Sequence, residues 1–151
     1  MRAYRGKRRD NGEWVYGYFC MFGNSAQIFV SFTEEEKEKY KGHFLEKAGG
    51  EWHKVIPETV GQDTGLTDKN GKHIFEGDIV NAVYQSGYVG IENTDFGNGI
   101  VLYFDSYYGG ASYHIDMIGE LGYRVFSAGL QDGVTVLGNI FDNPELTEKS
   151  C

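Results

Sequence analysis

Gly61-Gln62-Asp63-Thr64-Gly65-Leu66-Thr67-Asp68-Lys69-Asn70-Gly71-Lys72-His73-Ile74-Phe75-Glu76-Gly77-Asp78-Ile79-Val80 is the stretch whose turn chemistry decides the fold. Asn70-Gly71 is a hairpin signal, because these two residues tolerate the backbone conformations that reverse a strand tightly. Ile74 and Phe75 follow as an apolar pair, and Gly77-Asp78 forms a corner before a strand over 79–84. Asp and Asn side chains hold such corners by accepting hydrogen bonds from nearby backbone amides. A corner of this kind suits the opening of a small barrel. Further strands fit 99–104, 113–117, 124–128 and 134–141, separated by glycine-containing turns at roughly the 8–12-residue spacing of sandwiches and barrels. Asn143-Pro144 stops the last strand, since proline has no amide to continue a ladder.

Working back toward the N-terminus, residues 2–20 read as a β-hairpin. Asp10-Asn11-Gly12 supplies the turn, expected as type I′, and Trp14, Tyr16 and Tyr18 alternate at strand period behind it. Residues 28–32 form another strand. Thr33-Glu34-Glu35-Glu36 is a capping box that starts the single short helix of the chain, with carboxylates where the helix dipole favours them. Lys37, Lys39 and Lys41 fall toward the end of that helix, Gly42 can close it, and its face is polar apart from Tyr40. Phe44-Leu45 and residues 52–56 read as short strands around the turn at Ala48-Gly49-Gly50, and Pro57 ends the segment. The result is a mainly β, antiparallel chain with an N-terminal β-hairpin region over 1–60, a second β region over 61–146 and a tail over 147–151.

Composition narrows the role less than the fold. In 151 residues there are 22 glycines, about twice the usual share of roughly 7%, and 21 Tyr and Phe residues together, too large an aromatic payload for a disordered chain. The net charge of −8 opposes contact between the whole surface and a phosphate backbone. Five of the 14 cations, Arg2, Arg5, Lys7, Arg8 and Arg9, nevertheless precede the first carboxylate, Asp10. This basic ribbon either protects a sheet edge from aggregation or contacts nucleic acid. Cys20 and Cys151 form no short-spaced pair, which fits a reducing cytoplasm. Nothing approaches the ~18 apolar residues of a membrane span, and no apolar segment follows the basic N-terminus as in an export signal.

The histidines, His43, His53, His73 and His114, lack the close spacing of a zinc site, so neither a metal nor a cofactor is expected. The segment from Gly65 to His73 has the wrong glycine spacing for a phosphate loop and carries His73 where a magnesium-binding hydroxyl belongs. Aligned as a calcium loop, Gly71 puts Leu66 at the first ligand position and Gly77 at the last. No Gly-x-Ser-x-Gly elbow is present. Asp63, Asp68, Glu76 and Asp78 could supply an acid/base carboxylate pair, but turn hydrogen bonding already accounts for them. Tyr107 and Tyr108, beside Gly109-Gly110, are adjacent and so face opposite sides of any strand; they are candidates for partner or base contact rather than core.

Three blocks together resemble the YopX family of small phage and prophage proteins. They are Arg5-Gly6-Lys7-Arg8 with Asp10-Asn11-Gly12-Glu13-Trp14-Val15-Tyr16-Gly17; Pro57-Glu58-Thr59-Val60-Gly61-Gln62 running into Thr64-Gly65-Leu66 and on to Gly77-Asp78-Ile79-Val80; and Val136-Leu137-Gly138-Asn139-Ile140-Phe141-Asp142-Asn143-Pro144-Glu145-Leu146. Residues 33–50 and the glycine-rich 84–122 follow no family motif, and Asp63 stands where the family pattern usually carries an aromatic residue. The resemblance implies an SH3-like barrel in the C-terminal part and a phage or prophage protein acting in the cytoplasm of a bacterial host cell. It implies no activity and no catalytic residue. Gly65, Asp68, Asn70, Gly71, Gly77, Asp78, Gly138, Asn139, Asn143 and Pro144 then serve as a structural signature of turns and close approaches. The expected role is non-enzymatic binding of a host or phage protein, with a homo-oligomer as a further partner. The alternative is a nucleic-acid-binding module built on Arg5, Lys7, Arg8 and Arg9 with Trp14 or Tyr16 stacking on bases.

Overall fold

The structure, a computed structural model, describes residues 3–86, 93–106, 110–118, 123–125 and 133–148. The chain divides into two compact units, Met1–Gln62 and Asp63–Cys151.

The first unit contains β1 (Tyr4–Lys7), β2 (Trp14–Phe22), β3 (Ser25–Ser31), α1 (Glu34–Lys39), α2 (Phe44–Ala48) and β4 (Gly50–Lys54). Its strands are antiparallel and run in the order β4-β3-β2-β1, and the opening residues of β5 (Gly61–Thr67), Gly61 and Gln62, pair with β1. The β1–β2 hairpin forms as expected, but its turn is not type I′. Only Gly12 takes positive φ, at 71°, and the loop is closed by Gly12 N donating to Arg8 O and Arg8 N donating to Glu13 O. That is a four-residue loop, which leaves Asn11 free of the left-handed conformation. Alternation then sends Tyr4, Val15, Phe19 and Val30 to one side, where they pack on Ala26, Ile28 and Val55.

The expected capping box is present: Glu36 N donates to Thr33 Oγ1 and Thr33 N donates to the Glu36 carboxylate, which holds that carboxylate below its ordinary pKa. α1 buries none of its residues. Two short helices form instead of one, because Phe44-Leu45 opens α2 rather than a strand. His43 Nδ1 caps α2 by accepting from Leu45 N, Gly49 closes it at φ 69°, and Phe44 stays 77% exposed, so no sheet recruits it.

In the second unit, the remainder of β5 pairs with β6 (His73–Phe75). A five-stranded antiparallel sheet has the order β10-β9-β8-β7-β11, where β7 is Asp78–Ser86, β8 Asn93–Ser106, β9 Gly110–Met117, β10 Tyr123–Val125 and β11 Thr135–Asn139. The SH3-like barrel expected over 61–146 is not a closed barrel among the described residues. Closure requires hydrogen bonds between the two edge strands, and β10 and β11 stand at opposite ends of the sheet. Ile74, Val80, Ala82, Val101, Tyr113, Ile115 and Val134 form the core, with Leu66 and Val136 packed against it.

Two polar devices fix this unit. At the corner, Gly77 takes φ 86°, its N–H donates to Val101 O and its carbonyl accepts from Ile140 N, while Asp78 Oδ2 accepts from Phe75 N at 2.8 Å. At the hairpin tip, Asp68 Oδ1 accepts from Asn70 N and Lys72 N at 2.8 and 2.9 Å, and its Oδ2 accepts from Val136 N at 3.0 Å. Burial pushes the Asp68 carboxyl up, but the amides of Val136, Lys72 and Asn70 outweigh it and hold the group below the ordinary aspartate value. Because its folded pKa is depressed, its stabilising contribution is complete above the unfolded value of about 3.9 and is lost as pH falls through the folded pKa. Asp68→Ala strips the acceptor from three amides and is expected to cost about 3 kcal/mol in denaturant unfolding at neutral pH. Asp68→Asn should lie between the two, with its midpoint converging on that of the wild type as the pH is taken into acid.

Candidate functional site

The sheet of the first unit has one face on its core and one face turned away. Register decides which residues the second face carries. Lys7 pairs with Trp14 and Arg5 with Tyr16, Tyr18 with Phe29 and Phe22 with Ser25, and Phe29 in turn with Trp52. The outward face of β1–β4 therefore carries Trp14, Tyr16, Tyr18, Phe22, Phe29 and Trp52, opposite the core side chains. Tyr16, Tyr18, Phe22 and Trp52 are 51, 48, 50 and 45% exposed. Trp52 meets Phe22 edge-on with ring centroids 5.0 Å apart and Phe29 at a tilt with centroids 5.2 Å apart. Of the charged strand residues, Arg5, Lys7 and Lys54 fall on this face, while Glu51 alternates to the other side.

The basic ribbon does not stand out as a uniform stripe. Arg5 is buried, with its guanidinium 4.8 Å from the centre of the Trp14 ring, and Lys7 Nζ lies 5.5 Å from the same ring. Arg8 closes a two-pronged pair on Asp10, with Nε and Nη2 2.9 and 2.5 Å from the carboxylate oxygens. This hydrogen bonding lowers the Asp10 pKa and raises that of Arg8. Arg9 is exposed, and its backbone N–H donates to Lys54 O at 3.0 Å. Tyr107 and Tyr108 lie outside the described residues.

A groove of about 860 Å³ runs along β4, lined by the charged residues Arg8, Arg9, Asp10, Glu51 and Lys54, by the rings of Phe29 and Trp52, and by Leu45 of α2. Sequence reading caught the alternation of Trp14, Tyr16 and Tyr18 but missed Phe22, Phe29, Trp52 and Lys54. Their partnership comes from strand pairing, and the only local signal was an aromatic residue in each of the candidate strands.

The signature residues serve as turn hardware. Gly65 takes φ 79° and donates its N–H to Asp63 Oδ1, while Asp63 Oδ2 meets His73 Nδ1 at 2.9 Å. Gly71 takes φ 79° after Asn70. Asn139 Oδ1 accepts from Phe141 N and Asp142 N, Asn143 Oδ1 accepts from Asn139 N, and Pro144 opens a 3-10 turn over Pro144–Thr147. A side chain at Gly138 would overlap Asn143. Among the described residues, no three His, Cys, Asp or Glu side chains converge as a metal-binding group, and no helix is long and apolar enough to cross a membrane.

The family model described as YopX protein matches residues 3–148. The chain is similar to a solved structure described as protein EF1440 from Enterococcus faecalis, at 22% identity over 98% of this chain and 99% of that one, with a TM-score of 0.49. No curated protein matches it.

The aromatic face depends on close approach of β2 and β3 at Gly17, where a Cβ would overlap the Phe29 carbonyl. Gly17→Ala is therefore expected to cost about 2 kcal/mol. It should also raise hydrogen exchange along β2 and β3 before it affects the second unit.

Proposed function

We propose that this chain, which belongs to the YopX family, works by binding rather than by catalysis and holds a partner protein on the outward face of its first sheet. The carrying observation is the row of half-exposed rings, Tyr16, Tyr18, Phe22 and Trp52, on one side of four strands. Single exposed apolar residues are ordinary, whereas aromatic residues gathered on one face are the composition of interface cores. The polar neighbours Ser25, Gln27 and Ser31 on β3 give that row the hydrated surround of a separable interface rather than of a permanent core. The family resemblance supports a phage or host protein in a bacterial cytoplasm as the partner, and a second copy of the chain is a further occupant of the same face.

The carboxylates support the non-enzymatic side of this proposal. Asp68 gives both oxygens to backbone amides, and Asp63 divides its oxygens between Gly65 N and His73. A general base needs an oxygen within reach of a substrate proton, and these oxygens are engaged in turns. A nucleic-acid contact on the N-terminal ribbon alone has less support, because Arg5 is buried and Arg8 is engaged by Asp10.

The test is capture of partners by tagged protein from nuclease-treated bacterial lysate, comparing the wild type with the double variant Tyr18→Ala, Phe22→Ala. A nuclease-resistant partner retained by the wild type and lost by the variant, with unfolding midpoints matched, is the expected outcome. Equal capture by both proteins sinks the assignment of the face.

A further inference from the structure

We infer that the groove along β4 is a binding site for single-stranded nucleic acid, in which Trp52 and Phe29 stack on bases and Arg9 and Lys54 hold phosphates. The inference goes beyond the binding of a partner protein; it shares Trp52 and Phe29 with the outward face and adds Arg9 and Lys54. Two kinds of chemistry meet in this groove. Its wall carries two rings with centroids 5.2 Å apart, and Trp52 is 45% exposed, so a flat partner can reach it. Its lining also carries two cations, Arg9 and Lys54, whose backbones are joined by the 3.0 Å bond from Arg9 N to Lys54 O. Among the described residues neither Arg9 nor Lys54 has a side-chain ion pair or hydrogen bond.

The carboxylates nearby do not cancel these charges. Asp10 and Glu51 both line the groove, but Asp10 is engaged by the two-pronged Arg8 pair, and the three cations Arg8, Arg9 and Lys54 outnumber the two carboxylates. A locally cationic groove in a chain of net charge −8 therefore selects an anion, and the rings select one with flat faces. An acidic peptide satisfies the cations alone. A duplex satisfies them too, but its bases are stacked on each other and cannot reach Trp52. A single strand satisfies both, because its bases are free to stack on aromatic side chains while its backbone tracks the cations.

The experiment uses the full chain with Trp14→Phe, which leaves Trp52 as the only tryptophan of the two in the sequence. An oligothymidylate of about 15 nucleotides is titrated against Trp52 fluorescence, with anisotropy of the labelled strand as a second readout. Quenching of Trp52 is expected, together with an affinity that falls about 7-fold between about 50 and about 200 mM salt, the slope for two phosphate contacts on a single strand. Trp52→Ala should weaken anisotropy-detected binding about 5- to 140-fold, the range for loss of one stacked base. Arg9→Glu with Lys54→Glu should weaken it at least about 10-fold and flatten the salt dependence. Both charge changes are at exposed positions, so they test the site even where Trp52→Ala disturbs the fold. Absence of binding at about 50 mM salt overturns the inference. So does equal binding of duplex DNA or of polyglutamate, or an unaltered affinity in the Arg9, Lys54 variant. None of these outcomes depends on whether Tyr18 and Phe22 hold a partner protein.

Discussion

One buried carboxylate organises the second unit. Asp68 sits at the tip of the β5–β6 hairpin, yet one of its oxygens accepts from Val136 N, 68 residues away on β11. A neutral side-chain amide could accept from Asn70 N and Lys72 N with its one oxygen, but it would set an N–H donor against Val136 N. Satisfying three from a buried position calls for an acceptor with two oxygens and full charge, and charge-assisted bonds are what make its desolvation tolerable. The adjacent backbone follows the same line, since Lys69 N donates to Val134 O. The hairpin and β11 thereby arrive together at the core, where Ile74 and Val134 are both fully buried. Asn70 and Gly71 need only make the turn that Asp68 anchors. Gly77 extends the arrangement by bonding to β8 through its N–H and to the segment after β11 through its carbonyl.

How much of this was legible follows from the range of each interaction. The capping box at Thr33 and Glu36 lies within four residues and is legible in the sequence, as are the glycine turn after Asn70 and the corner at Gly77-Asp78. Asn11-Gly12 locates its turn but does not fix the turn type, because loop length depends on which residues pair across the hairpin, here Arg8 with Glu13. Phe44-Leu45 looked like a strand from its apolar character. Its fate was set by His43 and Gly49, two weak helix signals that outweighed an apolar pair with no sheet to join. Arg5 is the sharpest case: as one of five N-terminal cations it looked solvated, but its guanidinium lies on the Trp14 ring and is buried. No local pattern announces that, since it depends on the pairing of β1 with β2.

Register also explains why the candidate sites escaped the sequence. Phe29 and Trp52 are 23 positions apart and become neighbours only because β3 pairs with β4 in the register that opposes them. Shifting that register by one residue would put Trp52 among the core residues and Glu51 on the outward face. The burial of Ile28 and Val55 prevents the slip, so the hydrophobic core of the first unit specifies, from the opposite side of the sheet, which residues its outward face presents.

The cations of the N-terminal ribbon divide by the same logic. Arg5 and Lys7 share a face with Trp14, and Arg8 is engaged by Asp10, so their positive ends are directed into the molecule's own structure. Arg9 comes after the strand, where the chain turns, and its backbone is bound to β4 rather than to its hairpin partner. That single bond carries a cation from the ribbon to the groove and sets it beside Lys54. A cation–π contact satisfies a guanidinium locally, whereas a solvated cation beside exposed rings retains its full capacity for an external anion. The part of the ribbon suited to recognition is therefore its last residue, and its position follows from where β1 ends.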